Sequence, residues 1–220
     1  MSGGFPVDLI LFAMVAAFLV LRLRSVLGRR TGFERPAQPE GAAGPAPRAL
    51  ETEPAPATTG GQARQILPDA RSPAGRALAR IRDADPSFDG AGFLSGAEAA
   101  FRMTVEAFAA GDRDTLRNLL SEDTYAGFEA AITEREQAGH RQRTEIRAVT
   151  EAAIEGADLR GATADVTVRF VSDQVNLTTD QTGQIIAGAD AVTELTDIWT
   201  FQRDLRSDDP TWRLVATATG

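Results

Sequence analysis

Cysteine and lysine are both missing from the 220-residue chain, and histidine occurs once, at His140. Without cysteine there is no disulfide framework and no thiol chemistry, which fits a reducing compartment. One histidine and no cysteine leave no zinc constellation, and no Ser–His–Asp or Cys–His set can be assembled. There is no glycine-rich phosphate loop, no dinucleotide fingerprint and no internal repeat, so no cofactor is expected. A positive surface is lacking as well. Residues 1–73 hold eight arginines against six acids, a formal +2, whereas residues 74–220 hold 15 arginines against 25 acids, a formal −10, which together make the chain's −8. Such an acidic part argues against nucleic-acid binding, which needs cations for phosphates. What is present, 43% apolar and 25% charged residues, is the composition of an ordinary globular protein.

The first 30 residues are read as a membrane anchor with a basic flank. Leu9–Leu21 is an unbroken apolar run, and Phe5–Leu23 extends it to nineteen residues with Asp8 and Arg22 near its ends. The run alone also suits a signal-peptide core, since about 20 apolar residues are needed for a span. The flanks favour an uncleaved anchor: no basic side chain precedes the run, and Arg22, Arg24, Arg29 and Arg30 follow it. Positive flanks stay cytoplasmic, so a single-pass membrane protein is expected, N-terminus outside and the rest inside.

Residues 31–73 carry eight of the eleven prolines and few large apolar side chains, and are read as a disordered linker. A coil of that length reaches roughly 35–40 Å by the square-root rule for flexible chains. The folded part is placed at 74–220, with a helix at 74–84 and a globular core from 85 onward. In Ala74–Ala84, Arg76, Arg80 and Arg82 surround Leu78 and Ile81. This short basic amphipathic piece is either a solvated linker-to-domain helix or a contact for an anionic phospholipid membrane.

Ser95-Gly96-Ala97-Glu98 has the form of a capping box, with Ala97, Phe101, Val105 and Phe108 on one helix face up to Gly111. Asp112 is suited to cap a helix bearing Leu116, Leu119 and Leu120, and Ser121 one bearing Tyr125, Phe128 and Ile132, which Gly139 stops. Beyond Gly139 the period becomes two: Ile146, Ala148, Ala152 and Ile154 alternate with charged residues, then Val166, Val168 and Phe170 do so. Turns are expected at Asp180–Gly183 and at Gly188. Helices followed by a run of antiparallel strands predict an α+β fold with the helices on one face of a curved antiparallel sheet.

The closing stretch, TDIWTFQRDLRSDDPTWRLVA, holds both tryptophans and reads as two strands joined through Ser207-Asp208-Asp209-Pro210. Leu195, Trp199 and Phe201 share one face of the first, and Trp212, Leu214 and Ala216 one face of the second. Asp197 falls on the apolar face beside Trp199. A carboxylate there must be paired or protonated. It therefore has an arginine partner, sits in a ligand pocket, or lies exposed at the rim. Trp199, Asp197, Phe201 and Trp212 are the candidate cavity and core residues. His140, in a helix–strand junction, is expected to be solvated, and Asp112 with Asp114 and Asp208 with Asp209 to serve caps and turns. No catalytic site is expected.

The same closing stretch, with FLSGAEAAFRMTVEAFAAGDRDTLRNLLSEDTYAGFEAAI upstream in matching order, resembles the Tim44 family over roughly Asp85–Thr219. The resemblance implies the cone-shaped fold shared with nuclear transport factor two. It also implies a membrane-tethered adaptor or scaffold that docks a translocase, chaperone or ribosome-linked partner during protein translocation or membrane-protein biogenesis. The family's first helices are implicated in membrane binding, which bears on Arg76, Arg80 and Arg82. Its chaperone-contacting motif has no counterpart in Thr31–Pro73. Two further readings are a small apolar ligand or lipid-binding module using the cone cavity, and an isomerase-like enzyme in that cavity.

Overall fold

The computed structural model describes residues 63–220. The Leu9–Leu21 run and the linker up to residue 62 lie outside the described residues. Among those described, no helix is long and apolar enough to cross a membrane.

Nine elements follow in order: β1 (Arg64–Ile66), α1 (Pro73–Ala84), α2 (Gly90–Ala110), α3 (Arg113–Leu119), α4 (Glu122–Gln137), β2 (Arg141–Arg160), β3 (Thr163–Thr179), β4 (Ile185–Asp204) and β5 (Arg213–Thr219). The strands form one sheet in sequence order. The fold is α+β, with helices on a curved sheet. The expectation of a purely antiparallel sheet is corrected, because β1 pairs parallel with β2, Arg64 opposite Glu151. This strand lies within the stretch read as linker. Three residues carry no readable period, and what fixes them is tertiary: the ladder itself and an Arg64–Glu151 ion pair of 2.6 Å. Glu151 also holds Arg169 at 2.5 Å, tying β1, β2 and β3 across the outer face.

Each helix begins on a side chain that accepts a backbone N–H. Ser72 takes Gly75, Asp89 takes Gly92, Asp112 takes Thr115 and Ser121 takes Thr124. The capping box at Ser95 is overturned: α2 starts a turn and a half earlier at Asp89, and the Ser95 hydroxyl donates to Ala91 O inside the helix. Gly111 ends α2 in the left-handed conformation (φ 74°), as its position predicts. Arg135 of α4 donates to the freed carbonyls of Phe108 and Ala109 at 2.8 and 3.3 Å.

The sheet bends at bulges. Shifts in the β2–β3 register between Ile146 and Ala148 and between Val149 and Glu151 turn Val149 inward, buried opposite Ser172, where strict alternation expects Ala148. Gly188 is no turn either: it stands inside β4, paired with Leu177 at φ 75°. On β5, Leu214 opposes Phe201 but Ala216 opposes Thr200, so the extra residue Val215 moves Ala216 to the outer face, where it is exposed. The Asp180–Gly183 turn forms, with Asp180 accepting the Thr182 and Gln184 amides.

Helices and sheet enclose one core. Phe101 stacks on Phe170 (centroids 4.6 Å apart, 20° between planes), and Trp199 meets Phe101 edge-on at 4.8 Å. Such pairs add about 0.5–1.5 kcal/mol each beyond their buried area. Val168, Phe201 and Leu214 are buried with them, while Phe108, Phe128 and Trp212 pack at the margin.

Candidate functional site

The α1–α2 corner, the first three turns of α2 and the β4–β5 end of the sheet leave a cleft of about 340 Å³ between them. Its floor is the side of α2 bearing Gly92, Gly96 and Ala100, spaced four apart and so aligned on one helix face. Small side chains there leave the space open. Aromatic rings form the walls: Phe93 lies 4.9 Å from Trp212 and 6.0 Å from Phe201, both nearly edge-on, and Phe88 lies 5.8 Å from Trp212.

At one end of the cleft Arg203 donates to Asp85 at 2.9 Å, both side chains about 15% exposed. Asp85 also accepts the amide and hydroxyl of Ser87. The Ser87 bonds, with the Arg203 charge added, hold the Asp85 carboxyl below its ordinary range against the opposing effect of burial. The pair pins the α1–α2 corner to β4, and Arg203 Nε is buried without a partner. The Asp209 carboxyl is held low chiefly by Thr211, with a smaller contribution from the Arg203 charge.

Of the four cavity residues read from the sequence, the structure brings two together here, Phe201 and Trp212. Trp199 is core, edge-on to both Phe101 and Phe170. Asp197 is on the inner face as expected, opposite Phe170 and Thr219, but not in the cleft. The arginine partner expected for it is absent: no ion pair or hydrogen bond to its carboxylate occurs among the described residues, and burial pushes its pKa up to about 6. Arg76, Arg80 and Arg82 are all exposed on α1, which buries Ala74, Ala77 and Ile81 instead. Arg76 bonds the Arg71 carbonyl and Arg80 lies 3.4 Å from Asp158. His140 opens toward β2 half-exposed, its amide bonded to Arg135 O.

Sequence reading missed Asp85, Phe88, Phe93 and Arg203 as a group. Two aromatics five residues apart at a helix start were the available signal, but only the fold sets them against Trp212. Among the described residues no three His, Asp or Glu side chains converge to hold a metal ion.

No curated protein matches the chain. Among solved structures, the intermembrane-space region of the chloroplast protein ARC6 is similar at 14% identity, covering 57% of this chain and 95% of its own, with a TM-score of 0.42. A conserved protein from Planctomyces limnophilus matches at 17% identity over 56% of this chain and 94% of its own, with a TM-score of 0.32. The Tim44-like domain matches residues 74–219, two-thirds of the chain and nearly all of the described fold. The chain is a member of the Tim44-like domain family.

Proposed function

We propose that this protein is a membrane-tethered adaptor: an N-terminal span at Leu9–Leu21, a proline-rich tether, and a folded domain that docks a partner protein at the bacterial inner membrane. The family match over residues 74–219 carries the reading. The pairing of a span with some forty residues of low apolar content supports it, because slack serves a domain that must find a large partner. Confinement within tens of ångströms of a bilayer raises effective concentration and makes a weak contact useful. The arginines on α1 point outward, where they suit anionic lipid head groups at about 1 kcal/mol per charge. The partner belongs to the translocation or membrane-protein biogenesis machinery, and the domain contributes docking, not chemistry.

A reporter active only in the periplasm, fused after Gly220, should stay dark. A bright reporter, or a mature chain that starts after residue 30, overturns the topology. His140→Gln and Asp197→Asn should both support growth of a deletion strain as well as the parent. A folded but inactive His140→Gln or Asp197→Asn protein would instead favour an enzyme or ligand carrier in the domain's interior.

A further inference from the structure

The aromatic cleft beside α2 has the properties of a docking pocket, and its surroundings constrain what enters. Phe88, Phe93 and Trp212 are only partly buried, although large aromatic side chains gain most from full burial. Unsatisfied aromatic area in a concave site is where binding anchors concentrate. The volume of about 340 Å³ is at the small end for ligand pockets, room for one or two large side chains.

Charge decides between occupants. Arg203 is neutralised by Asp85 at 2.9 Å, so it offers no free cation to an anionic head group. Asp89 at the cleft, and Asp208 in the loop leading to Trp212, have no ion-pair partner among the described residues, whereas Asp209 lies 3.9 Å from an exposed Arg213. With Asp85 and Arg203 paired, Asp89 is the uncompensated charge of the lining, on a domain whose residues 74–220 carry a formal −10. Anionic lipid and a second copy of the same acidic domain are both repelled. A basic flank is attracted, and it would steer the encounter.

We infer that the cleft seats an aromatic or branched aliphatic side chain from a partner protein segment whose neighbouring residues are arginine or lysine. This rests on the adaptor reading and names the surface and the partner chemistry for it. Seating uses Gly96 as open floor: a Cβ added there meets nothing within 4 Å. A larger side chain at that position therefore starts in open space at the cleft lining, and it replaces glycine by a better helix former.

The test uses the full chain in nanodiscs of zwitterionic phosphatidylcholine. It is probed with an array of synthetic peptides that pair aromatic, aliphatic or alanine anchors with basic, neutral or acidic flanks. The expected result is retention of peptides with an apolar anchor and basic flanks, at least tenfold above their acidic-flank counterparts. Gly96→Leu should abolish that retention while the circular dichroism spectrum and melting temperature are kept. The double change Asp89→Asn with Asp208→Asn, which leaves a capping side chain at the α2 start, should weaken the preference for basic flanks and keep the anchor preference. Equal retention by Gly96→Leu or a preference for acidic flanks overturns the proposal. An array that retains nothing also overturns it, and the adaptor reading then stands or falls separately on whether function needs the tether.

Discussion

Asp197 shows most plainly what a single residue does in this fold. It shares the inner face of β4 with Trp199, and its pKa rises from an ordinary 3.8 to about 6 because burial penalises the charged form. The folded state therefore holds its proton to higher pH than the unfolded chain does. Its contribution is most favourable below pH 4 and is lost as pH rises from about 4 to about 6. Asp197→Asn should accordingly stabilise the protein at pH 8 by roughly 1–3 kcal/mol, at 1.4 kcal/mol per pKa unit, and change little at pH 4. Denaturant titrations at the two pH values check it; equal effects at both would mean that the carboxylate is solvated. The sequence placed Asp197 on that face by simple alternation. It did not reveal the missing partner, since a counter-ion comes from whichever strand or helix lies opposite. Trp199→Ala should cost about 3–5 kcal/mol, measured by the same titration, because it empties the centre of the Phe101–Phe170 cluster.

At the scale of elements, caps and bulges set what was legible. The α3 and α4 starts at Asp112 and Ser121 were readable because one capping residue precedes each apolar run. The α2 start was not, because DGAGF is rich in glycine and Ser95–Glu98 offers a better-looking box further in. Asp89→Ala should cost about 1 kcal/mol and Ser95→Ala only a few tenths in thermal unfolding; the reverse order would restore the capping box. The strands were legible as an alternating pattern wherever the ladder is regular, as from Val166 to Phe170. Bulges broke it at Val149 and Val215, since an inserted residue flips every side chain beyond it. Gly188 carries the same lesson. Its φ of 75° marks a backbone that favours glycine, and a Cβ there would stand 2.1 Å from Asn176 O in the neighbouring strand. Gly188→Ala should destabilise by about 1–3 kcal/mol, seen as a lowered denaturation midpoint.

For the molecule as a whole, the order of helices before strands gave the α+β class, and two separated stretches gave the family. The cleft stayed hidden because Phe88, Phe93, Phe201 and Trp212 come from the two ends of the folded part and meet only through the register of β4 with β5. The β1 pairing stayed hidden for the same reason. The chain reaches the folded domain through that short parallel strand. As an adaptor of the kind proposed above, the domain would work by being held at the membrane. The most direct measurement of that is complementation of a deletion strain by three proteins: the full chain, residues 31–220 released from the anchor, and residues 31–220 fused to an unrelated single span of the same orientation. The released protein should accumulate folded yet fail, and the unrelated span should restore function. Full complementation by the released protein would contradict the adaptor reading.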